Sequence, residues 1–231
     1  FKNKLTLEDT KKFTYENEVS NLEKSYLDVL TPLLNKMSNK DNILEIGCGN
    51  GFILNRLYNM GFTDSYGVEP SEEAKQKAHP NIKKNISLGI LRPGIFGNKK
   101  FKLIFFFQTF DHIPDPNKFL KDCTSLLESG GYILAFNHNV ESLSAKILGE
   151  KSVIIDIEHT FLYSPDTIKK LFEKNNLTPM KVFSPHNVVS LRYLIHLLPI
   201  PIVLKRIFQY IIPANINLKL KLGNLCIIAC K

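Results

Sequence analysis

The sequence has few cysteines, no long apolar run and no acidic residue near its end. Its four cysteines are too sparse for a disulfide scaffold in a chain of 231 residues, and none forms the Cys-x-x-Cys pair of structural zinc sites. The longest uncharged apolar run, 193–204, holds a histidine and two prolines and is shorter than the roughly 20 residues that span a bilayer. Residues 1–20 lack the apolar core of a signal peptide. We therefore expect a soluble, cytoplasmic protein.

The missing acidic residues place the net charge of +8 at one end of the chain. Residues 1–173 hold 22 acidic and 22 basic side chains and sum to zero, whereas 174–231 hold 8 basic ones and no acid. These basic residues are few and lie among aliphatic residues, not among the aromatic residues on which bases stack. We therefore predict no nucleic-acid partner.

Hydrophobic residues make up 44% of the chain, and their spacing predicts an alternation of strands and helices. A first helix is predicted over 18–37. Strands are predicted at 42–47, 65–69, 86–91, 102–108 and 132–137, with helices at 52–60, 71–78 and 117–127. The last of these helices is predicted to stop at Gly130-Gly131. This order is typical of a parallel sheet connected by crossover helices.

Beyond residue 140 the pattern changes. Helices are predicted at 142–148 and 164–175, and two further strands at 177–183 and 224–230. The stretch of about forty residues between these strands is too long for a hairpin loop, so an insertion with its own structure is expected there. It contains two apolar segments with helical spacing, 188–198 and 202–212.

A glycine-rich turn follows the first predicted strand. The sequence Glu45-Ile-Gly-Cys-Gly-Asn-Gly51 would bring the backbone close to a ligand, beside the free amides of a helix N-terminus. The dinucleotide fingerprint Gly-x-Gly-x-x-Gly requires glycine where this chain has Phe52, which argues against a nicotinamide-dependent oxidoreductase. Glu69 ends the next strand, where doubly wound folds place a carboxylate on a ribose diol.

Four segments in this order resemble the motifs of the class I S-adenosylmethionine-dependent methyltransferases. They are Ile43-Leu-Glu-Ile-Gly-Cys-Gly-Asn-Gly-Phe52, Tyr66-Gly-Val-Glu-Pro-Ser71, Phe101-Lys-Leu-Ile-Phe-Phe-Phe-Gln-Thr-Phe-Asp-His-Ile-Pro-Asp-Pro116 and Leu127-Glu-Ser-Gly-Gly-Tyr-Ile-Leu134. The resemblance is dense over about 40–140. It continues more loosely through 156–164, as in the branch that includes ubiquinone-pathway O-methyltransferases and many sugar and small-molecule methyltransferases.

The resemblance implies an α/β fold with a Rossmann-like, seven-stranded, mostly parallel sheet, helices on both faces and a helical insertion before the last strand. We expect one methyltransferase domain over 1–231. Its predicted parts are an N-terminal helical segment at 1–40, a cofactor-binding core at 41–140 and a C-terminal part at 141–231 with a helical cap at 186–223.

The resemblance also implies S-adenosyl-L-methionine as the cofactor and gives roles to the residues of the turn. Glu45 would hold the ammonium group of the cofactor directly or through water. The turn under the methionine part would consist of Gly47, Gly49 and Gly51, with Cys48 and Asn50 at its variable positions.

Three further residues take cofactor roles from the resemblance. Glu69 would accept hydrogen bonds from both ribose hydroxyls, and Phe107 and Gln108 would line the pocket beside the sulfonium. Family members often have an acidic adenine contact after the third strand. The segment 86–91 has no acid, so no adenine contact is assigned.

Two histidines are candidates for catalysis. Methyl transfer from a sulfonium depends mainly on positioning, and it needs a base only when the acceptor must lose a proton. His112 lies in the loop after the fourth strand, where it either serves as a base or acceptor-orienting group or merely fixes the turn. His159 is the second candidate, on a segment that resembles a stretch over the pocket in related enzymes.

Neither a metal site nor a catalytic role for the remaining histidines is predicted. The spacing of Asp156, Glu158 and His159 is more typical of a solvated loop than of a metal site, so no metal is predicted. No catalytic role is assigned to the histidines at 79, 138, 186 and 196.

The predicted function is methyl transfer to an oxygen or carbon of a small or amphipathic acceptor, such as a sugar, a quinone-like compound or a lipid-linked intermediate. A non-catalytic cofactor-binding protein is the alternative. The basic, apolar segment 188–213 is interpreted as a cap over the active site, as a surface for peripheral membrane or lipid contact, or as a dimer interface.

Overall fold

The computed structural model describes residues 15–152, 155, 158–197, 200–213 and 215–231. Its helices are α1 (Tyr15–Leu34), α2 (Phe52–Asn59), α3 (Glu72–Gln76), α4 (Pro80–Lys83), α5 (Pro116–Leu126), α6 (Leu143–Leu148), α7 (Pro165–Lys174), α8 (Leu191–Leu197) and α9 (Ile202–Ile211). Its strands are β1 (Ile43–Ile46), β2 (Ser65–Glu69), β3 (Ile86–Leu88), β4 (Phe101–Phe107), β5 (Leu127–His138), β6 (Thr178–Phe183), β7 (Asn187–Ser190), β8 (Asn217–Leu220) and β9 (Asn224–Cys230).

The chain divides into two compact units. One comprises Leu30–Pro185 and Gly223–Lys231, and the other the described residues up to Val29 together with His186–Leu222. The segment His186–Leu222 of this second unit has nearly the bounds of the predicted cap at 186–223, but the unit also includes part of α1. The assignment of one domain over 1–231, with a cap over the active site, stays a prediction.

The larger unit contains a seven-stranded sheet in the order β3-β2-β1-β4-β5-β9-β6. The first five strands of this order pair in parallel, and β9 runs antiparallel to both β5 and β6. The predicted Rossmann-like, mostly parallel seven-stranded fold is therefore confirmed.

The middle of the sheet is formed by the most apolar strand of the chain. Six of the seven residues of β4 are buried, which is expected for a parallel strand covered on both faces. Phe106 packs edge to face against Phe119 of α5, with ring centroids 5.2 Å apart. The burial of β4 fixes the position of its carboxyl end. The loop that follows β4 therefore begins at the carboxyl edge of the sheet.

The helix predicted at 117–127 is present as α5, but Gly130-Gly131 do not stop it, and the strand predicted at 132–137 begins earlier. The helix α5 ends at Leu126, and β5 begins at Leu127 and includes both glycines. The pairing absorbs the additional residues in a bulge, since Phe101 pairs with Leu127 and Leu103 with Tyr132. Gly130 has a positive φ of 67°, which glycine adopts without strain.

One helix predicted in the smaller unit is partly wrong. The segment 188–198 is not helical throughout, because its first residues belong to β7, which pairs antiparallel with β8. The backbone amide of Val188 donates to Ser25 Oγ of α1 at 2.8 Å, and Ser190 Oγ donates to Glu18 at 2.6 Å. Two adjacent valines, which favour strands, and these contacts to α1 account for the change. The helices that follow are α8 and α9.

In the described part of the chain, every helix is too short or too polar to cross a membrane.

Candidate active site

The glycine-rich turn connects β1 to α2 as predicted. All three of its glycines have positive φ values: 71° at Gly47, 54° at Gly49 and 70° at Gly51. The Gly47 amide donates to Val68 O at 2.9 Å, and the Gly51 amide donates to Cys48 O at 2.8 Å. The turn is therefore anchored to β2 and closed on itself at the carboxyl end of the sheet.

Two of these glycines are needed for different reasons. A Cβ atom on Gly47 would lie 2.5 Å from Thr109 Oγ1, so the missing side chain lets the loop after β4 pack on the turn. A Cβ atom on Gly49 would have no neighbour within 4 Å. Gly49 therefore faces open space, where a ligand can approach the backbone closely.

Glu69, at the end of β2, is held in place by two backbone amides. Its Oε2 accepts a hydrogen bond from Gly49 N and its Oε1 accepts one from Ser71 N, each at 2.8 Å. A carboxylate has about four lone-pair sites, so about two remain for other donors. The geometry suits the predicted contact with a diol.

Glu45 is a buried carboxyl group whose Oε2 has no hydrogen-bond partner in the structure. Burial, followed by the negative charge of Glu69, raises its pKa well above 4.5. A cation placed beside it would supply the missing partner and favour the ionised form. This is the environment that the predicted contact with an ammonium group requires.

The side chains at the variable positions of the turn differ in exposure. Cys48 is buried, and a Cβ atom on Gly67 would lie 2.6 Å from its sulfur, so the thiol packs on β2. Burial and the nearby charges of Glu45 and Glu69 raise its pKa. The Cys48 side chain therefore does not face a ligand, whereas Asn50 is exposed.

Phe107 is the last residue of β4, and Gln108 follows it and contacts β9. The Phe107 ring lies 5.8 Å from that of Phe136 on β5. Gln108 has a φ of 48°, which is uncommon outside glycine and marks a constrained position. Its Nε2 donates to Asn224 Oδ1 at 3.2 Å, while its buried Oε1 has no partner in the structure.

Three histidines surround Asp111 in the loop after β4. His138 Nδ1 donates to Asp111 Oδ2 at 2.8 Å, and His159 Nε2 lies 3.7 Å from the same oxygen. His112 Nε2 lies 3.9 Å from Asp111 Oδ1. The structure thus brings the two predicted catalytic histidines, His112 and His159, into one cluster, with ring centroids 5.0 Å apart.

The Asp111 side chain is only 1% exposed but is ionised at neutral pH. Burial by itself would raise its pKa, yet the hydrogen bond from His138 and the electrostatic interactions with His138 and His112 outweigh it. The pKa of Asp111 therefore lies below its ordinary value of 3.8. Its carboxylate is an acceptor only, which fixes the Nδ1 proton on His138.

One contact fixes the tautomer of His112. Its Nδ1 lies 2.8 Å from Glu158 O. A carbonyl oxygen only accepts hydrogen bonds, so Nδ1 carries the proton, and the lone pair of the neutral ring is on Nε2. The His112 side chain is 42% exposed. His112 therefore presents a basic nitrogen that a bound molecule can reach.

Two members of the cluster, Asp111 and His138, are not among the predicted site residues. They follow or end the neighbouring parallel strands β4 and β5, whose carboxyl ends meet at one sheet edge. That adjacency is the signal in the sequence that could have found them. Asp156 lies outside the described residues.

Comparison with known proteins identifies the family. A family model described as a methyltransferase domain matches residues 19–182, more than half of the chain. The ubiquinone biosynthesis O-methyltransferase of Vibrio parahaemolyticus serotype O3:K6 is 22% identical over 159 residues, covering 62% of this chain and 66% of that protein. The chain spans about half to two thirds of the length of the curated relatives it matches, from 47% to 66%.

Two solved structures share the fold. A SAM-dependent methyltransferase of Thermotoga maritima superimposes with a TM-score of 0.58 at 20% identity, covering 94% of each chain. Magnesium protoporphyrin IX methyltransferase of Synechocystis PCC 6803, with bound SAH, gives a TM-score of 0.60 at 11% identity, covering 94% of this chain and 86% of that one.

The fold and the turn define a class I methyltransferase. Because the family model matches more than half of the chain, the chain belongs to the methyltransferase domain family. The predicted class and cofactor, S-adenosyl-L-methionine, are confirmed at the level of the family. The individual roles of the predicted site residues stay predictions.

Proposed function

We propose that the chain transfers a methyl group from S-adenosylmethionine to a hydroxyl oxygen of a small or amphipathic acceptor, with His112 as the general base. The observation that carries this proposal is the fixed tautomer of His112, which presents Nε2 as a proton acceptor at the carboxyl edge of the sheet.

The residues of the turn fit this cofactor. Gly49 faces open space, Glu69 retains acceptor sites for a ribose diol, and Glu45 has a buried oxygen suited to an ammonium group. When bound, the cofactor supplies an electrophilic methyl group on a positively charged sulfur.

The proposed reaction needs a base because a neutral hydroxyl is a weak nucleophile. His112 Nε2 takes the acceptor's hydroxyl proton as the new oxygen–carbon bond forms and the carbon–sulfur bond breaks. Asp111 lies 3.9 Å from that nitrogen and stabilises the imidazolium that results. The products are the methylated acceptor, the demethylated cofactor and a proton that His112 releases to solvent.

The preference for oxygen over carbon rests on two observations. A base positioned to accept a proton is useful for a hydroxyl acceptor, and the similar curated proteins are named O-methyltransferases. At 22–23% identity over about 60% of the chain, these relatives support the type of reaction and leave the acceptor's skeleton open.

An acceptor panel tests the proposal. The purified chain is incubated with isotopically labelled S-adenosylmethionine and sugars, hydroxylated aromatic acids and polyprenylated phenols. Transfer of label to at least one hydroxyl, located by mass spectrometry, is the expected result. Cofactor binding in calorimetry with no labelled product from any acceptor would favour the non-catalytic alternative.

We further propose that α9 makes a peripheral contact with an anionic membrane surface. Seven of its ten residues are exposed apolar side chains, Tyr210 being 91% exposed: Ile202, Val203, Leu204, Ile207, Phe208, Tyr210 and Ile211. No acidic residue occurs after Glu173, so the segment around α9 is basic as well as apolar. This combination suits the interface of a bilayer with anionic head groups.

A further inference from the structure

Asp111, His138 and His159 place donor atoms where a metal ion could bind. One carboxylate oxygen and one ring nitrogen from each histidine all lie within 4.8 Å of one another. No metal site is predicted from the sequence, where the spacing of Asp156, Glu158 and His159 is typical of a solvated loop. Asp111 and His138 lie far from His159 along the chain.

The separations are close to those of a coordination sphere. An ion about 2.1 Å from each donor holds neighbouring donors roughly 3.0 to 3.4 Å apart. Asp111 Oδ2 lies 2.8 Å from His138 Nδ1 and 3.7 Å from His159 Nε2. Shifts of a few tenths of an ångström would therefore bring the carboxylate oxygen into the range for each histidine, and all three donors lie within 4.8 Å of one another.

A second observation points to a missing ligand. Asp111 is almost fully buried, and its Oδ1 has no hydrogen-bond partner in the structure. Buried carboxylate oxygens normally have one, so an orphaned oxygen requires an explanation. Oδ1 belongs to the same carboxylate as Oδ2, so a cation bound by both oxygens would give it a partner.

We propose that Asp111, His138 and His159 bind one divalent transition-metal cation. Two imidazole nitrogens and one carboxylate oxygen favour ions such as Zn²⁺ over Mg²⁺ and Ca²⁺, which prefer oxygen ligands. On binding, His138 Nδ1 loses its proton to solvent, and its lone pair then coordinates the ion. Three protein ligands leave a position open for water or for an exogenous oxygen.

The open position gives the ion a role beside His112. An acceptor hydroxyl bound there would be more acidic, which would help its deprotonation. This role rests on the proposed methyl transfer, whereas metal binding by the three residues does not.

Metal binding is tested on the full chain without a polyhistidine tag. The protein is stripped with a chelator, dialysed, and titrated with Zn²⁺ or Co²⁺. Metal content is measured by mass spectrometry, and the ligand set is read from the visible spectrum of the Co²⁺ form. We expect one ion per chain, with bands typical of nitrogen and oxygen ligands. Absence of a bound ion, or the intense charge-transfer bands of a thiolate ligand, would overturn the proposal.

The double variant His138→Gln/His159→Gln should lower metal affinity by at least about tenfold. Mutation of a residue that only contacts a metal ligand already costs about 10- to 100-fold, and here two ligands are removed. His186→Gln, at an exposed position, is the control and should bind as the parent does. Unchanged metal affinity in the double variant would contradict the site. Cofactor affinity and thermal unfolding show whether each variant is folded. If the double variant is not folded, the single variant His138→Gln replaces it, because glutamine keeps an amide donor for Asp111.

His112→Gln separates this inference from the proposed function. It lies outside the ligand set and should still bind one ion per chain while methyl transfer falls. Loss of metal binding in this variant would show that the assigned ligand set is wrong. If the parent chain binds the ion but methylates none of the tested acceptors, the metal site is supported and the proposed methyl transfer is not.

Discussion

The backbone amide of Gly49 donates to Glu69 Oε2 at 2.8 Å, joining the glycine turn after β1 to the carboxylate at the end of β2. The bond fixes the orientation of the carboxylate beside the one glycine of the turn that faces open space without close contacts. Two residues given separate cofactor roles in sequence analysis are therefore parts of one preorganised site.

The substitution Gly49→Ala should lower the affinity for S-adenosylmethionine by about tenfold or more, because a methyl group would occupy the space through which the ligand reaches the backbone. The matched control is Gly97→Ala. Gly97 has a φ of 58° against 54° at Gly49, and neither position has a neighbour within 4 Å. Both variants should lose about 1–2 kcal/mol of stability from left-handed strain. Equal cofactor affinities of the two variants, measured by calorimetry, would remove Gly49 from the site.

Replacing Glu69 by alanine should weaken S-adenosylmethionine binding by at least about tenfold, since hydrogen bonds to a charged group contribute roughly 1.5–3 kcal/mol each. Glu72→Ala, at an exposed position in the first turn of α3, is the control and should bind as the parent does. If Glu69→Ala bound the cofactor as tightly as Glu72→Ala, the ribose assignment would be wrong.

The raised pKa of Glu45 predicts opposite effects on stability and on binding. Because burial and then Glu69 raise the folded-state pKa above 4.5, the carboxyl group loses its proton more easily in the unfolded chain, and Glu45 therefore destabilises the cofactor-free fold at neutral pH. Glu45→Gln should therefore be more stable than the parent near pH 7. The difference should disappear as the pH falls below about 4.5, where both states bind the proton. The same variant should bind S-adenosylmethionine more weakly, and denaturation with and without cofactor measures both effects. If the parent were more stable than Glu45→Gln at neutral pH, the raised pKa of Glu45 would be contradicted.

Local patterns in the sequence were sufficient to predict the sheet and the cofactor turn. The glycine spacing at 47, 49 and 51 and the acid at 69 encode close backbone approach and a strand-end carboxylate, and both lie where predicted. The start of the seventh helix was likewise predictable, because Ser164 and Pro165 are an N-cap and a first-turn proline.

Features that depend on distant pairing could not be predicted in this way. Gly130 and Gly131 are stop signals for a helix in isolation, but the bulged pairing of β5 with β4 places them within a strand. The valines at 188 and 189 fit a helical pattern until pairing with β8 and contacts to α1 select a strand. Asp111 and His138 lie 27 residues apart and meet only through the parallel pairing of their strands.

The apolar surface of α9 predicts binding to vesicles that contain anionic lipid. The substitution Ile207→Asp should reduce flotation with phosphatidylglycerol vesicles, because it places an acid on the exposed apolar face. Ile90→Asp is the control, since Ile90 is also exposed but lies outside the basic segment. Equal flotation of the parent and both variants, or no preference for anionic over neutral vesicles, would contradict the membrane contact.

The turnover of His112→Gln, once an acceptor is found, decides whether His112 is the general base. The variant should bind S-adenosylmethionine as the parent does, with kcat lower by roughly 10²–10⁴-fold, the usual contribution of a positioned general base. The matched variant His186→Gln should keep the parent's kcat. An unchanged kcat in His112→Gln, measured at saturating acceptor and across the pH range in which a histidine titrates, would contradict the assignment of His112 as the base.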